Sequence, residues 1–248
     1  MNSKTLYNVY YCMVCSRTYH ALPQDGECLN CHQKRMRFVD KLVVDNPHPV
    51  QIIKIHSADI ITSIRRGNIW FQSPRTFHDY LGDGKTARAD IHDAKYSYIS
   101  KSGYVDDGNI ETYRILCFYS LDIDNDGNFI TQPSDGLREF GGSYSIVDLE
   151  TLLVRVKDYI INSNRPIDYV AHWVNYLGQN YSGVYSPFCK FPEFSYQSEF
   201  RVVLLSNEFI PLGKEPYKTI PPIENLDNVF SEPRPLDKLL RARNINDF

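Results

Sequence analysis

The sequence has 248 residues, 42% of them hydrophobic, and its 27 Lys or Arg and 30 Asp or Glu give a net charge of −3. This balance excludes binding to a polyanion through bulk charge alone, and no apolar run approaches the roughly 20 residues that span a bilayer. The opening residues MNSKTLY lack the apolar core of a secretion signal, so we expect a cytoplasmic protein. The length suits one main domain with a small appendage.

Two Cys-x-x-Cys pairs lie near the N-terminus, Cys12 with Cys15 and Cys28 with Cys31, and twelve residues separate them. Each pair can form a tight turn that directs both sulfur atoms at one tetrahedral metal ion. The alternative, two disulfides, is rare in the cytosol. We therefore predict that residues 1–45 form a zinc ribbon with one structural Zn²⁺ on four thiolates, a closed ligand set that leaves no position for catalysis.

The predicted ribbon ends in a basic cluster over residues 34–37. This cluster is either a solvated edge or a contact for nucleic acid, and in the second case the ribbon would recognise a macromolecular target. Residues 37–44 have the pattern of a last ribbon strand, and Pro47 and Pro49 indicate a linker before the next domain.

Residues 50–210 have the pattern of an α+β domain, and residues 211–248 form a proline-rich tail. Ser57 suits the N-cap of a first helix that Gly67 ends. The elements do not alternate as βαβ units, so we expect mixed or antiparallel strands. Strands are predicted at residues 52–55, 69–71, 113–120, 144–147, 170–176, 183–185 and 199–205. Further helices are predicted at 149–161 and 236–242. We also expect a loop at 73–79 and a long loop with a partial helix at 80–110.

The acidic segment Asp122, Asp124, Asp126 and Gly127 has the first spacing of a calcium-binding loop. An EF-hand needs Glu at the twelfth position of this loop, where the sequence has Pro133. We therefore expect a solvated turn between two strands.

Motifs of the common nucleotide-binding, hydrolase and metalloprotease folds are absent: the chain has no G-x-x-x-x-G-K-[ST], G-x-G-x-x-G, G-x-S-x-G or H-E-x-x-H. Polar residues nevertheless flank the predicted strands, where catalytic groups often emerge from a rigid scaffold. They fall at residues 56–57, 77–80, 117–120 and 197–201.

Four short blocks carry a resemblance to a family of uncharacterised bacterial and phage proteins. They are G-x-I-W-F at 67–71, S-P-x-x-F-x-D at 73–79, C-F-x-S at 117–120 and Y-x-x-E-F-R at 196–201. Members of that family usually have L-N-D-P, C-F-S and E-x-E-[WY]-R, and the resemblance covers residues 51–206. This sequence departs from the pattern because no Pro follows Asp79 and because Gln197 replaces an acid.

The order of these blocks is also similar to that of the ADP-ribosyltransferase superfamily. The resemblance implies a split-sheet α+β domain with NAD as its substrate. It places His56 at the first conserved element, Ser120 at the second, and Gln197 with Glu199 at the third. Glu199 would hold a ribose hydroxyl and stabilise the positive charge that develops at the ribose, as in glycoside cleavage. Gln197 would orient the incoming nucleophile, and Ser120 would brace Glu199.

The same resemblance implies contacts between NAD and His56 together with three further side chains. His56 and Ser57 would contact the adenosine ribose or a phosphate, and Phe77 or Tyr80 would stack on nicotinamide. The expected function is transfer of ADP-ribose to a protein or nucleic acid recognised by the ribbon, as in a phage or bacterial toxin or a defence effector.

Two other functions fit the same residues. The first is a non-enzymatic adaptor, in which Glu199 and Arg201 form a purely structural ion pair and the ribbon binds nucleic acid or protein. The second is a nuclease that uses Asp79, Asp83 and Glu199 to hold Mg²⁺, which requires these carboxylates to cluster. A cleft on which His56, Ser120 and Glu199 converge favours the transferase, whereas a carboxylate cluster favours the nuclease.

Overall fold

The structure is a computed structural model that describes residues 4–12, 18–19, 36–45, 50–79, 97–100, 103–104, 112–177 and 183–248. The strands are β1 (Lys4–Cys12), β2 (Thr18–Tyr19), β3 (Met36–Asp45), β4 (Val50–His56), β5 (Trp70–Phe71), β6 (Ser97–Ser100), β7 (Gly103–Tyr104), β8 (Tyr113–Asp122), β9 (Ser143–Val147), β10 (Asp168–Trp173), β11 (Asn175–Tyr176), β12 (Gly183–Tyr185), β13 (Cys189–Lys190), β14 (Glu199–Leu205), β15 (Tyr217–Lys218) and β16 (Arg234–Pro235). The helices are α1 (Ala58–Arg65), α2 (Pro74–Asp79), α3 (Leu149–Ser163) and α4 (Leu236–Arg241), with 3₁₀ turns at Asp135–Phe140, Pro192–Gln197, Asn207–Leu212 and Ile245–Asp247.

A six-stranded sheet in the order β10-β14-β8-β4-β9-β16 forms the centre of the main domain. Every neighbouring pair in it is antiparallel, while β11 and β13 form a separate parallel pair. Within the described residues, helices and strands are thus combined without βαβ repetition. The predicted mixed α+β class is confirmed.

Side chains alternate between the two faces of this sheet, and each face has its own core. Leu116, Phe118 and Val202 pack on one face with residues of α1 and α3, whereas Ile53 and Tyr119 pack on the other with residues of α4. The part of the C-terminal segment that precedes α4 belongs to the first core, to which it contributes the buried residues Ile223, Leu226, Val229 and Phe230. The proline-rich tail therefore packs against both faces of the sheet, with these four residues on one face and α4 on the other.

Several predicted elements have the expected place and type. Strand β14 has the predicted bounds, and α3 extends the predicted helix by two residues, to Ser163. Ser57 is the N-cap of α1, although its hydroxyl makes no capping hydrogen bond, and the chain turns at Gly67 with φ +94°. The acidic segment is a turn in which Asp124 accepts hydrogen bonds from the amides of Asp126 and Asn128 at 2.9 and 2.8 Å.

Three local predictions were wrong. The expected loop at 73–79 contains helix α2, because Pro74 suits the first helical position and the Ser73 hydroxyl accepts the Arg75 amide at 3.3 Å. The expected loop at 80–110 contains strands β6 and β7. The strand expected over residues 170–176 is divided at Val174 into β10 and β11, which pair with different strands, β14 and β13.

Strands β4 and β8 pair over only part of their length, which produces a fork in the central sheet. Their pairing ends at Ile53 opposite Tyr119. Beyond this point β4 continues alongside β9, whereas β8 continues alongside β14 and exchanges two 2.8 Å hydrogen bonds between Ile115 and Gln72. The widening gap between β4 and β8 opens a cleft, which we call the fork cleft.

The zinc prediction lies outside the described residues, apart from the strands that flank it. Backbone strands β1 and β3 pair antiparallel, and Cys12 is the last residue of β1. Cys15, Cys28 and Cys31 fall in ranges that the structure does not describe. Among the helices in the described ranges, none has the length and apolar character needed to cross a bilayer.

Candidate functional site

The fork cleft has a volume of about 390 Å³, within the range of roughly 300–1,000 Å³ that is usual for small-molecule sites. One part of its wall is apolar and aromatic, with Ile60, Ile64, Trp70, Phe118 and Phe140. Another part is polar, with Lys54, His56, Lys190, Gln197 and Glu199. These residues come from segments far apart in the chain, so the fork of the sheet is what brings them together.

Glu199 is the centre of a buried charge cluster. Its Oε2 accepts a hydrogen bond from Arg201 Nε at 2.7 Å, and its Oε1 accepts one from Lys190 Nζ at 2.5 Å. Arg201 is 0% exposed and also donates to the main-chain oxygen of Pro187 at 2.6 Å. The Glu199–Arg201 pair considered from the sequence therefore exists, and Lys190 extends it to a three-residue cluster.

The ionisation of Glu199 is set by burial and by these two cations. Burial alone raises the pKa of the Glu199 carboxyl, because it removes water from the charged form. The charges of Arg201 and Lys190, with their hydrogen bonds, outweigh that effect and hold the pKa of Glu199 well below its ordinary value. Glu199 is consequently a carboxylate throughout the neutral range.

Lys190 and Glu199 are placed by short β interactions. The parallel pairing of β11 with β13 sets Lys190 opposite Tyr176, and the Lys190 carbonyl accepts the Leu177 amide at 2.9 Å. The Tyr176 hydroxyl accepts the Glu199 amide at 3.0 Å. Strand β11 therefore holds the backbone of both Lys190 and Glu199, the two residues of the ion pair.

Gln197 contacts the same lysine, although it lies outside strand β14. Two residues at this spacing would share one face of a strand, but Gln197 ends a 3₁₀ turn and Ser198 adopts a left-handed conformation with φ +37°. The strand begins only at Glu199. Gln197 is buried, and its Oε1 accepts a hydrogen bond from Lys190 Nζ, so Lys190 joins the two residues.

Lys54 enters the cleft from β4. Its Nζ donates to the main-chain oxygen of Cys117 at 2.8 Å and lies 5.5 Å from the centre of the Phe118 ring. Both contacts cross the gap of the fork. Lys54 therefore bridges the separated strands by its side chain where the backbone ladder has ended.

His56 lies at the end of β4 and lines the cleft. Its Nδ1 accepts the Ser57 amide at 2.9 Å, so the neutral ring carries its proton on Nε2. Gly141 packs against the backbone of His56: a Cβ on Gly141 would lie 2.3 Å from the His56 carbonyl carbon. Gly141 also has φ +151°, a conformation that side chains disfavour.

The structure does not bring Ser120 to the cleft. Glu199 lies opposite Tyr119 in the sheet, and because successive residues of a strand point to opposite faces, Ser120 points away from Glu199. Its Oγ accepts a hydrogen bond from Trp173 Nε1 at 3.2 Å. Ser120 thus has a packing role in the opposite face, and the bracing of Glu199 comes from Lys190 and Arg201 instead.

Three other predicted contacts are not part of the described cleft. Ser57 is exposed and is not among the lining residues. Only the backbone of Phe77 is described, within α2, and Tyr80 lies outside the described residues. The proposed stacking of Phe77 or Tyr80 on nicotinamide stays a prediction.

Lys54 and Lys190 are two charged cleft residues that sequence reasoning missed. Both carry a local signal, since each is a lone charge within an apolar segment: Lys54 stands in Ile-Ile-Lys-Ile, and Lys190 stands between Cys189 and Phe191. A charged residue in a buried strand needs a partner. The partner of Lys190, however, follows only from the three-dimensional register.

The described residues contain no group of three or more His, Cys, Asp or Glu side chains that could hold a metal ion. Of the proposed nuclease residues, Glu199 is bound to two cations, only the backbone of Asp79 is described, and Asp83 lies outside the described ranges. The predicted Mg²⁺ site therefore has no support from the described part of the cleft.

Comparison with protein-family models, curated proteins and solved structures gave no match for this chain.

Proposed function

We propose that the fork cleft binds NAD and that the protein transfers ADP-ribose from it to a macromolecular target. The observation that carries this proposal is the meeting of His56, Gln197 and Glu199 at one cleft, although His56 is about 140 residues from the other two in the sequence. These are three of the four residues that the resemblance to ADP-ribosyltransferases selects. The fourth, Ser120, has no role in this proposal.

The cleft has the two kinds of wall that a dinucleotide requires. Trp70, Phe118 and Phe140 offer apolar surface for a flat ring, and Lys54 and Lys190 offer positive charge for phosphates. Its volume falls in the usual range for small-molecule sites. A ligand of this class would bury its ring against one wall and direct its anionic groups to the other.

The chemistry assigned to the site is cleavage of the bond between nicotinamide and ribose. The bonding electrons leave with the nicotinamide nitrogen, and a nucleophile of the target forms the new bond to the ribose carbon and loses its proton. Positive charge grows on the ribose during this exchange, and the ionised Glu199 is the negative group that would stabilise it. Gln197, held by Lys190, would position the nucleophile.

The N-terminal segment supplies target recognition in this proposal. Its four cysteines would hold one structural Zn²⁺, and its basic cluster at residues 34–37 would contact the protein or nucleic acid that accepts ADP-ribose. A closed set of four thiolates contributes to folding and not to catalysis. The main domain would then carry out all of the chemistry.

One observation favours a second candidate, a cleft that binds a nucleotide without consuming it. Both carboxylate oxygens of Glu199 contact a cation, Lys190 at Oε1 and Arg201 at Oε2. Two positive charges beside one negative charge work against stabilising a further cation at the ribose. In this second function the protein is an adaptor, and the ribbon binds its partner.

Incubation of the full chain with NAD labelled in the adenylate moiety, in the presence of cell extract, distinguishes the two functions. Transferase activity predicts label on a protein or nucleic acid and release of free nicotinamide, both reduced in Glu199→Gln. An adaptor predicts no release of nicotinamide, even when NAD is bound. Glu193→Gln, which changes an exposed residue six positions upstream, is the matched control.

A further inference from the structure

Strand β5 and the residue that follows it contribute two neighbouring side chains to the fork cleft. Trp70 and Gln72 both line the cleft, and Phe71 between them is buried in the core. Successive side chains of an extended segment point to opposite sides, so Trp70 and Gln72 share one side. Two 2.8 Å hydrogen bonds with Ile115 hold the Gln72 backbone. The cleft therefore has an aromatic ring and a carboxamide side by side on one fixed backbone.

The carboxamide of Gln72 is available to a ligand. It makes no hydrogen bond to the residues that the structure describes, although the side chain is half-buried. A carboxamide has two N–H donors and an acceptor oxygen, and a polar group that is withdrawn from water needs partners for them. A ligand that presents a donor next to an acceptor on its edge satisfies both ends of the amide at once.

The Trp70 ring is positioned by its contacts outside the cleft. It packs against the core, and Lys218, its partner in β15, lies with Nζ 5.4 Å from the ring centre. Flat bases stack on aromatic side chains with little dependence on their identity. Trp70 can therefore supply affinity for a flat ring, while the neighbouring amide of Gln72 selects among such rings.

We propose that Trp70 and Gln72 form an adenine subsite of the fork cleft. The base stacks on Trp70, its amino group donates to Gln72 Oε1, and the adjacent ring nitrogen accepts from Gln72 Nε2. A Gln amide pairs with adenine in this bidentate way because the base presents a donor beside an acceptor. This proposal rests on the proposed function only for the identity of the complete ligand, a dinucleotide.

The distance from Glu199 favours adenine over nicotinamide at this subsite. Gln72 pairs with Ile115 of β8, whereas Glu199 pairs with Tyr119, four residues further along the same strand. At the usual rise of a strand these two positions are about 13 Å apart. Nicotinamide is bonded directly to the ribose assigned to Glu199, so it would lie beside that carboxylate. Adenine is at the opposite end of the dinucleotide, which suits the position of Gln72.

Calorimetric titration with adenosine and with purine riboside tests the subsite, because purine riboside lacks only the amino group of the base. The wild-type chain is expected to bind adenosine about tenfold more tightly than purine riboside, the value of one or two hydrogen bonds. Gln72→Leu keeps the approximate volume of the side chain and removes its polar atoms. It should weaken adenosine binding by about tenfold and abolish the preference between the two probes.

Two further variants separate the roles of ring and amide. Trp70→Leu should weaken both probes by a similar factor, about tenfold or more, because stacking does not depend on the amino group; circular dichroism checks that this variant is folded. Gln51→Leu is the matched control for Gln72→Leu, since Gln51 is also half-buried but does not line the cleft. It should leave both affinities unchanged.

Equal affinities of the wild-type chain for the two probes, or an unchanged adenosine affinity in Gln72→Leu, would overturn the adenine subsite. These outcomes are separate from the fate of NAD. A preference for adenosine that depends on Gln72, in a protein that never releases nicotinamide, supports the subsite and refutes the transferase. Release of nicotinamide by a protein whose adenosine affinity does not depend on Gln72 supports the transferase and overturns the subsite.

Discussion

Replacing Glu199 by Gln is expected to destabilise the fold, because the carboxylate lies between two cations. Oε1 contacts Lys190 and Oε2 contacts Arg201, and both cations are buried. The Gln amide has one acceptor oxygen and one NH₂ group, so it can serve one cation but presents N–H donors to the other. The substitution therefore removes a charge and creates a clash of donors.

The size of the effect follows from burial. Removing one partner of a buried ion pair leaves an uncompensated charge and typically costs about 3–5 kcal/mol of the free energy of unfolding. In a chain of this length, 1 kcal/mol corresponds to roughly 2–4 °C in Tm, so the melting temperature should fall by about 6–20 °C. Exposed Glu193→Gln should change Tm by less than about 2 °C, since surface substitutions lie within roughly 0.5 kcal/mol.

Denaturant unfolding at several pH values checks the cause of the loss. The folded-state pKa of Glu199 lies below its unfolded value, so its ionisation stabilises the protein above the unfolded pKa of about 4.3 and loses this contribution as the pH falls through the folded pKa. The stability difference between wild type and Glu199→Gln should be full at pH 7 and shrink below about pH 4. An equal Tm for both proteins at pH 7 would refute the charge-cluster account.

Three further changes test the cleft and the ribbon. Gly141→Ala should displace His56, because the new Cβ would lie 2.3 Å from the His56 carbonyl carbon. The affinity for nucleotide, measured by calorimetry, should fall at least tenfold. An unchanged affinity would show that His56 is not part of the site. Gln197→Ala should reduce the transfer of ADP-ribose to the target more than it reduces hydrolysis of NAD. The measured quantity is the ratio of labelled target to free ADP-ribose. An unchanged ratio would contradict the role of Gln197 in positioning the nucleophile. Metal analysis should find about one Zn per chain, and Cys12→Ser should abolish it; a metal-free wild type in a reduced sample would disprove the zinc site.

Elements with strong local patterns were predictable from the sequence. The position of β14 follows from Phe200 and the four consecutive apolar residues 202–205, and α3 follows from apolar residues at helical spacing after an acidic N-cap, Asp148. Helix α2 was missed because its six residues carry no apolar periodicity, and only Pro74 after Ser73 indicates a helix start.

The composition of the cleft was predictable only in part. His56 and Glu199 stand at strand ends, where the chain leaves the sheet, and a linear pattern can reveal such positions. The face on which Ser120 lies depends on its register against β14, and the contact of Lys190 with Glu199 depends on the pairing of β11 with β13. A local sequence pattern does not determine either register. A shift of the pairing by one residue would turn every side chain of the strand to the other face of the sheet.

Release of nicotinamide from NAD by the full-length protein, at a temperature where circular dichroism shows each variant folded, tests the central claim most directly. The wild-type chain should release nicotinamide in the presence of its target, and Glu199→Gln should reduce turnover by about 10²–10³ with little change in NAD affinity. Glu193→Gln should match the wild type. Equal turnover in Glu199→Gln, or no release by the wild type with any extract, would contradict the assignment of this cleft to ADP-ribose transfer.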